Sequence, residues 1–281
     1  MVRIPNHLRI YELQILKNTS FLFFFTIIII QYSIAQQKII TVGLQYKPLV
    51  PSKFFRSGDI NFGDNNIDYS ILPKMSFSGG MVIRRGFTKN FSLESGINFV
   101  RRNYDLKVEN KDVSFAALKN FSIVGYEIPT LGLVFIRLGE KIFMDAAFGA
   151  SVDFFPSDVG TSEYYVSNDI KIESIAVRNH NRWIQASLLA NLGYEYRTEK
   201  HGYFYFGSSF HRPFSYNYLS TVKYTNGTFS EKAAVEITGN YLTFDFRYFF
   251  HQDPQKPKVK KQEGKTIKYF EDLKKKGNKM N

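Results

Sequence analysis

Between Ile184 and Tyr196 every second residue is apolar, and the residues between them are mostly small or polar. Because successive side chains of a β-strand point to opposite faces, this spacing predicts a strand with one apolar face and one small, polar face. A helix would spread the same residues around its whole circumference. The alternation recurs along the chain, so it predicts an all-β protein.

Eight segments share this alternation and are predicted as strands. They are Lys38–Lys47, Met75–Arg85, Phe91–Tyr104, Phe121–Leu138, Ile142–Phe155, Ile184–Tyr196, Tyr203–Tyr216 (alternatively to Tyr224) and Tyr241–Phe250. Pro129 predicts a bulge in the fourth strand, because proline has no N–H for a ladder hydrogen bond. The connections alternate long and short, so the short turns share one end of a meander. This predicts an eight-stranded antiparallel up-and-down transmembrane β-barrel with both termini in the periplasm.

The composition of the two faces favours a membrane barrel over a soluble one. A soluble lipocalin-like barrel also alternates, but it turns its apolar face inward. Here the polar face holds Gly, Ser, Asn and Ala rather than the Lys and Glu of a solvated surface. The apolar face carries bulky Phe and Tyr, which fit poorly inside eight strands. We therefore expect the apolar face to contact lipid, with a soluble barrel or sandwich as the alternative.

Ten charged residues fall on the face that is predicted to line the lumen. They are Arg84, Glu94, Arg102, Glu127, Asp145, Asp153, Glu195, Arg197, Asp245 and Arg247. Because both signs occur in a narrow interior, they predict a packed ionic network that plugs the lumen. A path for protons or small ions is the alternative. The plainest interpretation is an interior whose polar groups need hydrogen-bond partners.

The N-terminal residues follow the order of a secretory signal peptide. Basic residues precede an apolar run at Phe21–Ile30, and a small-residue cleavage site follows at Ser33–Ala35. The run is too short for a bilayer-spanning helix, which needs about 20 apolar residues. The predicted domains are therefore a signal peptide at residues 1–35, an outer-membrane barrel at 36–250 and a basic periplasmic tail at 251–281.

The net charge of +12 is concentrated in that tail. Ten lysines against four acidic residues give residues 251–281 a charge of +6, whereas residues 36–250 carry only +4. This distribution argues against a nucleic-acid-binding core. We expect the tail to be disordered or a short helix, and to contact peptidoglycan, lipid headgroups or an acidic protein. The candidate contacts are Lys256, Lys258, Lys260, Lys261, Lys274, Lys275 and Lys276.

Residues for catalysis or metal binding are sparse. The chain has no cysteine, and its five histidines show neither HxH nor HxxxH spacing. His211 lies near Ser208 and Ser209, but no second element completes a triad, which favours a histidine at the barrel rim over a hydrolase site. We therefore expect no catalytic, cofactor-binding or metal-binding residues.

Five stretches resemble the outer-membrane β-barrel proteins of Bacteroidetes-type bacteria, the PorT-like or "porin family" barrels. They are Val42–Phe55, Leu93–Tyr104, Tyr126–Phe135, His201–Tyr216 and Leu242–Phe250. The resemblance implies an eight-stranded barrel in the outer membrane without shared catalytic residues. One group of this family is linked to protein secretion or gliding, a role that these motifs do not carry over.

The function expected from the sequence is that of a non-enzymatic outer-membrane barrel that interacts through its external loops and its tail. Its expected contacts are outer-membrane lipid and a periplasmic or outer-membrane protein partner or peptidoglycan. A narrow channel or a transport and secretion accessory is the first alternative, and an outer-membrane hydrolase is the second.

Overall fold

The computed structural model describes residues 40–52, 57–64, 66–179 and 183–251. The predicted signal peptide and the candidate lysines of the tail lie outside these ranges. Within them the chain consists mainly of fourteen β-strands, numbered here in chain order, with one short 3₁₀ turn at Val166–Asn168. No helix in the described ranges is long and apolar enough to cross a membrane.

Eight of the strands close into an antiparallel ring. In ring order they are β1 (Ile40–Val50), β4 (Ser76–Gly86), β5 (Phe91–Asn110), β6 (Phe115–Arg137), β7 (Ile142–Phe154), β10 (Ile184–Arg197), β11 (Tyr203–Pro213) and β14 (Tyr241–Phe249). Pairing of β14 with β1 closes the ring. The predicted eight-stranded up-and-down barrel is therefore confirmed, and each of the eight predicted segments corresponds to one ring strand.

Side chains of the ring are distributed in the opposite way to those of a soluble barrel. On β10, Leu192 and Tyr194 are 57% and 53% exposed, whereas Asn191 and Glu195 are 6% and 0% exposed. The same order holds on the neighbouring strand β7, where Phe148 is exposed and Asp145 is buried. Apolar side chains therefore face outward and polar ones fill the interior, as the composition of the two faces predicts.

Three tight connections share one end of the ring, called the turn end here. They are residues 87–90, 138–141 and 198–202. In the third, Gly202 has a φ of +80°, and a Cβ there would lie 2.1 Å from the Phe249 carbonyl oxygen, so the turn requires glycine. Thr198 closes the same turn through its hydroxyl, which donates to the Gly202 carbonyl at 2.7 Å.

The bulge predicted at Pro129 is wrong. Ser95 pairs with Thr130 on one side of it and Asn98 pairs with Glu127 on the other, in one unchanged register of β5 with β6. Proline interrupts the ladder without adding a residue to it. The Ser95 hydroxyl donates to the Pro129 carbonyl at 2.8 Å and so supplies a contact across the interruption.

The long connections at the other end are not irregular loops. They form β2 (Ile60–Asp64), β3 (Ile67–Pro73), β8 (Val159–Tyr165), β9 (Ile170–Arg178), β12 (Tyr218–Asn226) and β13 (Phe229–Ile237). β2 and β3 extend the ring sheet along the far half of β5, which pairs with the far half of β6. The other four strands form a second sheet in the order β13-β12-β9-β8.

These two sheets, called the sheet pair here, enclose a hydrophobic core of their own. The first sheet supplies Tyr69, Leu106 and others, and the second supplies residues such as Ile170 and Val222. The chain thus continues the barrel beyond the ring as two packed layers, where loops were expected from the sequence. An ion pair between Lys119 Nζ and Glu163 Oε2, 2.8 Å apart, joins β6 to β8 at one side.

Candidate functional site

The ten charged residues predicted to line the lumen occupy inward positions of the ring strands. Nine of them are less than a tenth exposed. The tenth, Arg197, lies at the turn end and has a side chain that is 28% exposed. They separate into two groups along the barrel axis. We call them the turn-side layer, nearer the tight turns, and the sheet-side layer, nearer the sheet pair.

The turn-side layer crosses the lumen. The Arg84 guanidinium on β4 donates to Glu94 Oε2 from Nε at 3.1 Å and Nη2 at 3.0 Å. It also donates to Glu195 on β10, a strand on the opposite side of the ring. Arg247 on β14 in turn bridges Glu94 and Asp245, the latter at 2.7 Å from Nη2. Side chains from opposite walls therefore meet and fill the interior.

Charges in the turn-side layer balance. Lys47 joins it through Asp245 Oδ2, 3.5 Å from its Nζ, and Arg197 joins through Glu195. With Asp145, four basic and four acidic side chains share the layer. Neither oxygen of Asp145 has a hydrogen-bond partner among the described residues. The formal charges of these eight side chains cancel, which lowers the cost of burying them.

Aromatic rings line the same layer. The Arg84 guanidinium lies 4.0 Å from the centre of the Phe249 ring. That of Arg197 lies 4.0 Å from the Phe143 ring. A planar guanidinium over a ring face gains cation–π attraction when water is excluded. These contacts hold the two guanidinium groups against the rings that line the lumen.

The sheet-side layer brings together Glu127, Asp153 and His211 from three strands. Glu127 and Asp153 lie directly opposite each other on β6 and β7. His211 Nε2 is 3.0 Å from Asp153 Oδ2 and 3.5 Å from Glu127 Oε2. The ring of His211 stacks on that of Tyr241, with centroids 4.3 Å apart. The interpretation of His211 as a rim histidine is wrong, because its side chain is 2% exposed inside the lumen.

Hydrogen bonds hold the two carboxylates of this layer in fixed positions. Glu127 accepts from Asn98 Nδ2 at 2.9 Å and from the Tyr241 hydroxyl at 2.5 Å. Asp153 accepts from the hydroxyls of Ser151 and Ser187. Glu127 Oε2 and Asp153 Oδ2, the oxygens that face His211, also accept from the Tyr241 and Ser187 hydroxyls, while Asn98 and Ser151 donate to the other two oxygens.

Arg102 belongs to the boundary between this layer and the sheet pair. Its Nη1 donates to the Gly239 carbonyl at 3.3 Å, and its guanidinium lies 5.3 Å from the Phe155 ring centre. Among the described residues no ion pair joins Arg102 to Glu127 or Asp153. Arg102 thus lines the same small cavity as Glu127 and Asp153 without forming an ion pair with either.

The two serines near His211 in sequence face other partners. Ser208 Oγ donates to the Thr243 carbonyl at 2.8 Å, and Ser209 Oγ donates to Asp245 Oδ2 at 2.5 Å. Asp153 is the acid that contacts His211, through the ring nitrogen that a triad would turn toward serine. The geometry therefore lends no support to the hydrolase alternative.

Open space in the interior is small. A cavity of about 10 Å³ adjoins the sheet-side layer, and one of about 230 Å³ opens at the turn end beside Arg84 and Arg197. A third, about 40 Å³, lies at the side of the sheet pair and reaches Arg102 and Tyr241. Charged side chains of the ring thus line all three of these cavities.

Outside the ring, an ion pair fixes the start of the second sheet. The backbone N–H and the side chain Nε of Arg178 both donate to Asp158 Oδ1 at 2.9 Å. The backbone hydrogen bond first, and then the guanidinium, lower the pKa of the Asp158 carboxyl below its ordinary value.

Comparisons with known proteins give structural neighbours only. No family model and no curated protein match the chain. The outer membrane protein OprG from Pseudomonas aeruginosa matches with 12% identity and a TM-score of 0.44, over 76% of this chain and 96% of its own. The outer membrane protease OmpT from Escherichia coli matches with 12% identity and a TM-score of 0.32, over 78% and 100%.

A third neighbour is the beta domain of the Bordetella autotransporter BrkA, with 10% identity and a TM-score of 0.27, over 76% and 99%. Likenesses of this size do not bear on activity or partner. The assignment of an eight-stranded ring rests on the strand pairing of this chain and not on these neighbours.

Proposed function

We propose that this protein is an integral outer-membrane β-barrel of the PorT-like kind, closed in its lumen, that acts by interaction through the sheet pair and the basic tail. The observation that carries the membrane assignment is the outward apolar surface of the ring. Phe148, Leu192 and Phe206 are 64%, 57% and 54% exposed. Exposing such an apolar surface to water is unfavourable. The lipid-facing side of a transmembrane barrel strand has this apolar character.

Aromatic side chains form a row at the edge of this surface that is nearest the sheet pair. Outward rings on four successive ring strands touch one another: Tyr46 and Phe77 at 6.3 Å, Phe77 and Phe99 at 6.0 Å, and Phe99 and Tyr126 at 5.9 Å between centroids. Rings of this kind gather where hydrocarbon meets lipid headgroups. We take this row as the aromatic girdle nearest the sheet pair.

The height of the apolar surface matches the hydrocarbon thickness of an outer membrane. On β6 the outward residues run from Tyr126 in the girdle to Ile136 beside the turn end. Ten residues cover about 33 Å of strand, which a tilt of about 40° reduces to the roughly 25 Å band of outer-membrane barrels. The sheet pair then projects beyond the membrane, and the tight turns lie at the opposite surface.

Interaction rather than transport is the role that the interior supports. Ion pairs from opposite walls fill the turn-side layer, and a hydrophobic core closes the other end. The sheet pair by contrast is a structured surface on the side of the long connections. Short turns of outer-membrane barrels face the periplasm and long connections face the exterior, so we place the sheet pair outside the cell and the termini in the periplasm.

Labelling of single introduced cysteines tests this orientation. Because the chain has no native cysteine, the label can react only at the introduced position. Ser162→Cys on the sheet pair and Lys89→Cys in a tight turn are both exposed. In intact cells a membrane-impermeant maleimide should label Ser162→Cys alone, and after the outer membrane is permeabilised it should label both. Labelling of Lys89→Cys alone in intact cells would contradict the orientation.

Conductance tests the closed lumen. The purified full chain in a planar bilayer should pass no steady current, while a general porin inserted in the same bilayer serves as the positive control. Discrete, ion-carrying openings would contradict the plug and favour the channel alternative.

A further inference from the structure

Two carboxylates in the lumen, those of Glu127 and Asp153, have no arginine or lysine as an ion-pair partner among the described residues. Four arginine and lysine side chains balance the four acids of the turn-side layer, as described above. In the sheet-side layer His211 is the one ion-pair partner of Glu127 and Asp153 among the described residues, since Arg102 lines the same small cavity but donates to the Gly239 carbonyl. Each of these three side chains is buried. Two carboxylates enclosed together call for a cation between them.

The spacing of the three ligand atoms fits a metal ion. One nitrogen of His211 and one oxygen from each carboxylate all lie within 4.8 Å of one another. Zn²⁺ binds imidazole nitrogen and carboxylate oxygen at about 2.0–2.2 Å in a tetrahedral arrangement, which separates neighbouring ligand atoms by about 3.4 Å. The separations of His211 Nε2 from Asp153 Oδ2 and Glu127 Oε2, 3.0 and 3.5 Å, bracket that value.

The surroundings hold the ligands in that arrangement. Asn98 donates to Oε1 of Glu127 and Ser151 donates to Oδ1 of Asp153, while the hydroxyls of Tyr241 and Ser187 donate to the proposed ligand oxygens, Oε2 and Oδ2. Partners of this kind orient carboxylate ligands at metal sites. The adjoining cavity of about 10 Å³ is near the lower limit for one water, so it offers a fourth ligand position.

Two side chains separate the site from a second cavity that opens at the side of the sheet pair. Arg102 and Tyr241 line both this small cavity and the larger one that opens at the side of the sheet pair. Movement of these two side chains would connect the site to the space outside the ring. The ligands come from β6, β7 and β11, so a bound ion would join three ring strands directly beneath the sheet pair.

We propose that Glu127, Asp153 and His211 bind one divalent transition-metal ion of the Zn²⁺ type through Glu127 Oε2, Asp153 Oδ2 and His211 Nε2. The ion neutralises the two carboxylates and acts as a structural clip at the sheet-pair end of the lumen. The assignment rests on this chain's own geometry, and it holds whichever side of the membrane the sheet pair faces.

Metal titration of the full chain tests the proposal. The untagged protein, folded in detergent and treated with chelator, is titrated with Zn²⁺ while its melting temperature and bound metal are measured. One equivalent should bind and raise the melting temperature. His211→Gln and Asp153→Asn should each bind at least about 100-fold more weakly, since loss of a mere second-sphere partner costs up to that factor.

Two matched variants serve as controls. His201→Gln removes a histidine in a tight turn, and Asp145→Asn removes a lumen carboxylate of the turn-side layer. Both should keep the affinity of the unaltered chain. Equal loss in these controls, or Zn²⁺ binding that survives in His211→Gln and Asp153→Asn, would overturn the assignment.

X-ray absorption of the Zn²⁺-loaded unaltered chain keeps the test independent of how the variants fold. One nitrogen and two or three oxygens at about 2.0–2.2 Å are expected. A shell of oxygen alone would exclude His211 as a ligand. Failure to retain any metal, with a doubly protonated His211 seen by NMR, would show that a proton fills this role and would overturn the proposal.

Discussion

Replacement of Arg247 by methionine is the sharpest test of the turn-side layer. Methionine keeps much of the side-chain length and removes the charge. The change takes the Nη1 donor from Glu94 and the Nη2 donor, at 2.7 Å, from Asp245. Breaking a buried ion pair by removing one partner costs about 3–5 kcal/mol, because the remaining charge stays buried without its partner.

The ion-pair part of the loss at this position falls at the lower end of that range, about 3 kcal/mol. Glu94 keeps Arg84 as a partner, and Asp245 keeps Lys47 at 3.5 Å together with two hydroxyl donors. The loss of the guanidinium over the buried Tyr205 ring, 4.5 Å away, adds about 2 kcal/mol, because water is excluded from this pair. We expect Arg247→Met to lower the free energy of unfolding by about 5 kcal/mol.

Urea unfolding of the chain in lipid vesicles measures this value, with the single tryptophan, Trp183, as the fluorescence probe. Arg137→Met is the matched control: this exposed arginine donates to the Gly139 carbonyl and has no ion pair within the described ranges, so its loss should cost less than about 1 kcal/mol. The double variant Arg247→Met/Glu94→Gln should be less destabilised than the two single changes added together. A cost for Arg247→Met within error of that for Arg137→Met would refute the plug.

Three further predictions concern the regions beyond the ring. Leu106→Ala in the core of the sheet pair, where Leu106 is 1% exposed, should cost about 2–5 kcal/mol and open the sheet pair to protease while the ring stays folded, as gel mobility before and after heating would show. Because the pKa of Asp158 is lowered in the folded state, its contact with Arg178 stabilises above the ordinary pKa of 3.8 and is lost as pH falls through the lowered value. Wild type and Asp158→Asn should therefore differ in melting temperature near neutral pH and converge in acid; a constant difference would contradict this. Deletion of residues 254–281 should leave the barrel folded but weaken its binding to peptidoglycan or an acidic partner in pull-down, and unchanged binding would remove the tail from the account.

The alternation of apolar and polar residues was enough to predict most of the ring strands from the sequence. A period of two is visible wherever one face meets lipid and the other meets packed polar groups, as in Ile184–Tyr196, so both the strands and their orientation could be predicted. The inward placement of Arg84 and Glu195 follows from the same parity. Their contact across the lumen does not, because it depends on the ring's diameter and stagger, which parity leaves open.

The sheet pair could have been suspected from one signal. In β9 the inward residues Ile170, Ile172 and Ala176 alternate with polar or exposed ones, which is the ordinary pattern of a half-buried strand. Other segments such as β13 carry no such signal, since Phe229 at its start is exposed. The cluster of Glu127, Asp153 and His211 could not be predicted from the sequence, for a different reason. Its members lie far apart in sequence, and only the pairing of three strands brings them together.

The central claim is that the outward face of the ring lies in lipid. Spin labels on single cysteines at Leu192, Phe206 and Phe246, compared with one at Ser162 on the sheet pair, test it in reconstituted vesicles by collision with oxygen and with a water-soluble nickel complex. Oxygen concentrates in hydrocarbon, so the three ring labels should favour oxygen and the Ser162 label should favour nickel. Free access of the nickel complex to all three ring positions would show a surface in water and would contradict the account.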